Sequence, residues 1–137
     1  MSADVPTEAY EDIEVRASLG LPWDVLSARR ARRFISEFSR AADLDQEVCD
    51  RAALLVSELV TNAVIHGRSR ATLVAERPGG HLRIAVLDTD LRLPVGPGPL
   101  TLDAESGRGL RIVDALADRW GVEAVEGGKA IWFELDL

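Results

Sequence analysis

The sequence predicts an α+β fold in which three helices cover one face of a mixed, mostly antiparallel sheet. Segments that alternate apolar and polar residues occur in pairs joined by short turns, a pattern typical of hairpins. Segments with apolar residues at helical spacing lie between these pairs. The resulting order is β-α-α-β-β-loop-α-β-β. Because neighbouring strands in this order are joined by tight turns, the sheet is expected to be mixed and largely antiparallel. The helices then cover one of its faces, which makes a two-layer sandwich.

The chain opens with a strand and a helix. Residues 13–19 alternate at period two, which predicts a short strand ended by Gly20 and Pro22. Apolar residues then recur at helical spacing to about Ala41, with Asp24 as the expected N-cap.

Helix two has the longest periodic pattern in the chain. It is expected to open at Asp43 or Asp45 and to close at His66-Gly67, with Gly67 as the C′ stop. Its apolar residues fall on one arc at 3.6 residues per turn: Val48, Ala52, Leu55, Val56, Leu59, Val60 and Ala63.

Two further strands are expected over residues 70–77 and 81–88, separated by the turn Pro78-Gly79-Gly80. Residues 89–106 contain three prolines and two glycines and cannot form one regular element. Long irregular segments inside a compact domain are usually functional or mobile. Helix three is expected to start near Gly107–Gly109.

The C-terminal segment predicts a hairpin. Residues 120–125 alternate in polarity, residues 126–129 form a turn, and a last strand follows. The last strand should place Ile131, Phe133, Leu135 and Leu137 on one face and Trp132, Glu134 and Asp136 on the other.

The composition of the chain bounds its function. Its 137 residues predict one domain over residues 13–137 after a loose tail of residues 1–12. A single cysteine and two histidines leave no basis for a disulfide framework and make a His/Cys metal site improbable. No apolar run could span a membrane, and the polar, acidic N-terminus does not resemble a secretory signal, so a cytoplasmic location is expected.

The charge of the chain also limits its partners. A net charge of −7 disfavours direct binding to nucleic acid. The basic run at Arg29, Arg30, Arg32 and Arg33 is either a solvated helix face or a docking patch for an acidic partner.

The best-known nucleotide and hydrolase motifs are missing from the sequence. Gly127-Gly128-Lys129 is followed by Ala130, which lacks the hydroxyl of a P-loop. Gly107-Arg108-Gly109 has Ile112 where a Rossmann fingerprint needs a third glycine. There is no GxSxG elbow, and the two histidines give little support for a Ser-His-Asp triad.

Helix two carries a polar pair at the edge of its apolar stripe. Glu58 and Asn62 are four residues apart and share a helix face, and His66 lies one turn further on. An asparagine oxygen suits Mg²⁺, and a glutamate can accept a proton from a hydroxyl that attacks phosphorus. The alternative is an ordinary polar helix edge with Asn62 and His66 near its C-terminal cap.

Two distant segments add to this pair. Asp88 ends an apolar strand, where a fixed carboxylate can accept a hydrogen bond from an exocyclic amine such as adenine N6; alternatively it is a turn residue. Gly107 and Gly109 open helix three, where backbone amides and the helix N-terminus favour phosphate; alternatively they only mark a helix start.

In this order the segments resemble the GHKL superfamily of ATPases and kinases. Residues 58–67 (ELVTNAVIHG) resemble its N-box, Val86-Leu87-Asp88 the start of its G1 box, and Gly107-Arg108-Gly109-Leu110 its G2 box. The segment 128–133 (GKAIWF) resembles its final strand. The likeness covers about residues 13–137. The small size resembles the anti-sigma-factor serine kinase branch, especially small ATP-binding regulators of actinobacteria.

The resemblance implies a Bergerat fold that binds ATP and Mg²⁺. Asn62 would coordinate Mg²⁺ and Glu58 would be the general base, with His66 beside them in the N-box. Asp88 would hold adenine, and Gly107, Arg108, Gly109 and Leu110 would bind phosphates.

The same resemblance implies a kinase that phosphorylates a serine or threonine of a STAS-type antagonist. The unphosphorylated antagonist would compete with a sigma factor for the kinase. Proteins of this branch also tend to dimerise.

The chain departs from the family pattern in two places. Asp90 and Arg92 replace the glycines of the G1 pattern DxGxG, and the last-strand threonine corresponds to Ala130. A second hypothesis follows, namely a partner-binding module without catalysis and with weak or no ATP binding.

Overall fold

The computed structural model describes residues 15–89 and 104–137. The side chains of His66 and of residues 104–109 are outside this description, as are the expected N-terminal tail and most of the expected irregular segment. The elements are β1 (Val15–Leu21), α1 (Ser27–Ala41), α2 (Gln46–Val60), a π-helical turn (Thr61–His66), β2 (Ala71–Arg77), β3 (His81–Asp88), α3 (Ala104–Leu116), β4 (Arg119–Val125) and β5 (Gly128–Asp136).

The described strands form one sheet in the order β1-β2-β3-β5-β4, antiparallel at every pairing. The predicted α+β class with a largely antiparallel sheet is confirmed. β3 lies in the middle, with Asp88 opposite Ala71 on one side and Lys129 on the other. The end of β3 is therefore flanked by β2 and β5.

One apolar core fills the space between the sheet and the helices. Residues of α1 and α2 pack on alternate residues of the central strands, and the largest of these buried side chains include Ile35, Leu55, Leu59, Leu73, Leu82, Ile84, Phe133 and Leu135. Burying one such side chain contributes about 1.5–3 kcal/mol. The alternation predicted for β5 is confirmed within the strand, because Ile131, Phe133 and Leu135 are buried while Trp132 and Glu134 face the other side. Leu137, predicted on the buried face, lies beyond the strand and is exposed.

The starts of the helices differ in detail from the prediction. Asp24 accepts a hydrogen bond from the amide of Leu26 at 2.7 Å, but α1 begins only at Ser27, so Asp24 shapes the preceding turn rather than capping the helix. Asp45 occupies the N-cap position of α2, so the helix begins at the second of the two predicted start positions, Asp43 and Asp45. α3 begins at Ala104, three residues before the expected start.

The predicted hairpin turns are confirmed, and both use a glycine with a left-handed backbone. Gly79 has φ +66° between β2 and β3, and Gly127 has φ +79° between β4 and β5. Gly67 does not have the backbone conformation predicted for a C′ glycine, because its φ is −78°. The residue with a left-handed backbone at this helix end is Arg68. The helix therefore does not end through a glycine in the left-handed conformation that the C′ stop implied.

Glu134 is the centre of a charged cluster on the sheet face that points away from the helices. Its carboxylate contacts Arg119 at 2.8 Å, Arg83 at 3.1 Å and His81 at 3.2 Å. Burial raises the pKa of Glu134, but hydrogen bonds from Arg119 and Arg83 outweigh burial, so the pKa lies below its ordinary value. Arg83 also stacks on Trp132 at 4.4 Å from the ring centre.

Among the described residues, no helix is long and apolar enough to cross a membrane.

Candidate functional site

The elements that carry the candidate residues meet at one end of the sheet. The π-helical turn at the end of α2 contacts β3, α1 and α3, and α2 itself packs on α3. Segments that are distant in the sequence are thus brought into one region. This contact between elements is the arrangement that a shared nucleotide site requires.

The end of α2 widens into a π-helical turn, which the sequence pattern did not predict. The amide of Gly67 donates to the carbonyl of Asn62 at 2.8 Å, five residues back instead of four. Such turns are rare and occur frequently at functional sites. A Cβ atom on Gly67 would lie 2.6 Å from the carbonyl oxygen of Ala63, so only glycine fits there.

Glu58 and Asn62 lie on either side of the change from α-helix to π-helix. Both residues are half-buried, consistent with the predicted edge of the apolar stripe. The wider turn changes the angle between successive residues, so the direction of His66 no longer follows from an α-helical wheel. The backbone of His66 ends the turn.

Asp88 is the most buried charged group of the candidate set. Its side chain is 1% exposed at the end of β3, and Lys129 Nζ lies 3.3 Å from its Oδ1. The backbones approach closely at this point, because a Cβ atom on Gly128 would overlap the carbonyl oxygen of Asp88 at 1.7 Å. Asp88 is thus a fixed, buried carboxylate on the helix side of the sheet and not a simple turn residue.

Lys129 contacts the candidate residue Asp88 and was not among the site residues that the sequence interpretation named. Ala130 was matched to the last-strand threonine, but Ala130 lies opposite Leu87, and Lys129 lies opposite Asp88. Because side chains alternate along a strand, Ala130 points to the other face of the sheet. One signal was present in the sequence, since Lys129 is the only lysine among 16 Lys and Arg residues.

A cavity of about 450 Å³ lies at the end of β3. It is lined by Arg70, Ala71, Thr72, Leu87, Asp88, Thr89, Val125, Glu126 and Gly127. Beside Asp88, the hydroxyls of Ser69 and Thr89 lie 2.8 Å apart, and the Thr89 amide donates to Ser69 Oγ at 3.2 Å. Of the candidate residues, Asp88 lines this cavity, whereas Glu58 and Asn62 do not.

The start of α3 carries the expected phosphate-binding segment. Gly107, Arg108 and Gly109 lie inside the helix, because the helix begins at Ala104. In a helix only the first four amides lack an intrahelical partner, so the open amides precede Arg108. Leu110 is buried in the core, and its side chain therefore packs instead of contacting a ligand.

The family follows from a comparison with known sequences. The family model described as histidine kinase-like ATPase domain matches residues 21–135, most of the chain. This protein belongs to the histidine kinase-like ATPase family. The sequence-based resemblance is thereby confirmed, and ATP is the nucleotide expected for a domain of this class. A Streptomyces coelicolor protein of uncharacterized function is 42% identical over 80 residues, which cover 56% of this chain and 76% of that protein.

Solved structures show the same fold. The RsbU and RsbW domains of Rv1364c from Mycobacterium tuberculosis match with a TM-score of 0.70 at 21% identity, over 90% of this chain and 32% of that chain. The histidine kinase domain of the blue-light activated histidine kinase from Erythrobacter litoralis EL346 matches with a TM-score of 0.56 at 22% identity, over 85% of this chain and 61% of that chain. The present chain spans about a third of the first structure and three fifths of the second.

Proposed function

We propose that this protein is an ATP-dependent serine/threonine kinase that regulates transcription by phosphorylating a STAS-type antagonist and sequestering a sigma factor. The observation that carries the proposal is the meeting of the π-helical turn, the buried Asp88 and α3 at one end of the sheet of a histidine kinase-like ATPase domain. Similarity to a structure that contains an RsbW domain supports the regulatory class.

The residues present suit an adenine nucleotide with Mg²⁺. Asp88 is a buried carboxylate beside a cavity, which suits the exocyclic amine of adenine. Glu58 at the end of α2 and Asn62 in the π-helical turn supply charged and neutral oxygens, the ligand type that Mg²⁺ prefers. Asn62 would hold the ion, which supplies charge neutralisation for the phosphates.

Glu58 is assigned as the general base. It takes the proton of the partner's hydroxyl while that oxygen forms its bond to the γ-phosphorus. The bond from the γ-phosphorus to the β,γ-bridging oxygen breaks, and ADP leaves with the electron pair. The first turn of α3 would bind the phosphates through its open backbone amides, which precede Arg108.

The surface of α1 is proposed to bind the protein partner. Arg29, Arg30 and Arg32 are exposed on this helix, although the chain as a whole is acidic. Val25, which is 79% exposed, and Trp23, which is 61% exposed, lie just before the helix. Exposed apolar side chains beside a positive surface are typical of an interface with an acidic partner. This favours the docking patch over the solvated helix face.

The test measures binding and phosphoryl transfer separately. At 100 times its Kd, MgATP should stabilise the folded protein by about 2.7 kcal/mol in a thermal unfolding experiment. Asn62→Ala should weaken this Mg²⁺-dependent stabilisation. Glu58→Ala should retain nucleotide binding but lose transfer of the γ-phosphate to the partner chain that copurifies from native cytoplasm. Glu47→Ala is the matched control, since Glu47 is an exposed carboxylate on α2 that pairs with Arg51.

The outcomes separate the kinase from the binding module. If the wild-type protein shows no stabilisation by millimolar MgATP and still retains its partner, the non-catalytic module is the function. If Glu58→Ala transfers phosphate as fast as Glu47→Ala, Glu58 is not the base.

A further inference from the structure

We propose that Lys129 recognises the purine base together with Asp88, so that the two residues form a donor–acceptor pair for adenine. This inference deepens the proposed nucleotide site and depends on ATP binding there. The pair joins neighbouring strands, with Lys129 Nζ 3.3 Å from Asp88 Oδ1. Nothing in the family pattern stated above assigns a role to a residue at position 129.

The burial of the pair is the first argument. The Lys129 side chain is 11% exposed and the Asp88 side chain 1%, so both charges have been largely removed from water. A buried ion pair is costly to desolvate, and apolar replacements are often neutral or stabilising. Stability alone therefore gives little reason for this pair. Asp88 is among the residues that line the cavity at the end of β3, and Lys129 reaches that position only through its contact with Asp88.

The chemistry of the two groups is the second argument. An ionised carboxylate only accepts hydrogen bonds, and an ammonium only donates them. Adenine presents an amine donor next to a ring-nitrogen acceptor, on its N1 side and on its N7 side alike. Asp88 can accept from the N6 amine while Lys129 donates to the neighbouring ring nitrogen. A 6-oxopurine places an acceptor where adenine has its amine, so the carboxylate disfavours it in this position.

The choice of lysine is the third argument. Every other basic residue of the chain, His aside, is arginine, and the single lysine is the one placed opposite Asp88. Arginine has a large planar group with a fixed fork, whereas lysine is a compact charge with three rotatable donors. On its other side Lys129 lies opposite the small Ala124 of β4.

A single lysine provides a direct probe of the site. In protein labelled with ¹³C at lysine Cε, all lysine signal comes from Lys129. We expect MgATP and adenosine to shift this signal and tripolyphosphate with Mg²⁺ to leave it unchanged. A shift caused by tripolyphosphate alone would assign Lys129 to the phosphates and overturn the proposal. If inosine triphosphate and ATP shift the Lys129 signal equally and bind the protein with equal affinity, the assignment to adenine is overturned.

Variants provide the second measurement. Lys129→Met should weaken ATP binding about tenfold to a hundredfold, the range for a hydrogen bond to a charged group. It should also reduce the preference for ATP over inosine triphosphate, which a purely structural role would leave unchanged. Arg83→Met is the matched control: it removes the cation of an ion pair between the same strands on the opposite face, and the preference should stay the same.

The results distinguish this inference from the proposed function. If wild-type protein does not bind MgATP, the proposed function fails and the inference fails with it. If wild-type protein binds MgATP while the Lys129 signal is unmoved, only the inference fails. The labelled wild-type protein gives this answer even if Lys129→Met does not fold.

Discussion

Replacing Gly128 with alanine tests whether the close approach of β3 and β5 fixes Asp88. A Cβ atom at this position would lie 1.7 Å from the carbonyl oxygen of Asp88, 2.8 Å from its carbonyl carbon and 3.0 Å from the Cα of Thr89. All three neighbours are backbone atoms, so no side-chain rotation can relieve the overlap. The two strands have to separate at the candidate base site.

The distances set the size of the effect. Lengthening the closest contact from 1.7 Å to an acceptable 3.0 Å requires a movement of about 1.3 Å. A backbone hydrogen bond of about 2.9 Å does not survive such stretching. Losing two such bonds at about 0.5–1.5 kcal/mol each, with overpacking strain of about 1–3 kcal/mol, predicts a destabilisation of about 2–6 kcal/mol. For a chain of this length the Tm should fall by roughly 7–20 °C.

Thermal unfolding with and without MgATP measures both consequences. Gly20→Ala is the matched control, because a Cβ atom on Gly20 in β1 would meet no atom within 4 Å. We expect the control to keep the wild-type Tm or exceed it slightly, since alanine is favoured over glycine inside a strand. Gly128→Ala should also lose nucleotide affinity. If Gly128→Ala has the same Tm as the Gly20→Ala control and binds MgATP with wild-type affinity, the close approach of the strands and the fixed position of Asp88 are refuted.

Three further predictions concern the charged cluster, the π-helical turn and the partner surface. The pKa of Glu134 lies below its ordinary value in the folded protein, so its stabilising effect is present above the ordinary pKa of a glutamate and is lost as the pH falls through the folded value. Glu134→Gln should therefore lower the stability at pH 7 and flatten its acid dependence in urea titrations. Gly67→Ala should displace the last turn and weaken Mg²⁺-dependent ATP binding, and calorimetry showing unchanged affinity would contradict this. Arg29→Glu with Arg32→Glu should abolish partner capture while leaving MgATP binding intact, whereas Arg111→Glu on α3 should change neither.

Periodicity predicted much of the fold because burial is a local property of a strand or helix. Phe133 and Leu135 alternate with polar residues, and this pattern alone determines which face of β5 meets the core. The glycines at 79 and 127 marked both hairpin turns because each adopts a left-handed backbone. The antiparallel pairing of β2 with β3 and of β4 with β5 then followed from the short connections.

The site was harder to predict because it depends on register and on hydrogen bonds between distant residues. The sequence interpretation considered Ala130 in the final strand, but the register places Lys129 opposite Asp88, and a shift of one residue moves a side chain to the other face of the sheet. The π-helical turn could not be predicted from the sequence pattern either. Its residues continue the apolar pattern of α2, and only the bond from Gly67 to Asn62 reveals the wider turn.

The candidate site has two halves that are held by different interactions. Asp88 and Lys129 are held by the ladder between two central strands, whose spacing is set by Gly128. Glu58 and Asn62 are held by the end of one helix, where a turn of different pitch begins. Perturbing the ladder should therefore change stability and base preference together. Perturbing the helix end should instead change the Mg²⁺-dependent step while the preference for adenine stays the same.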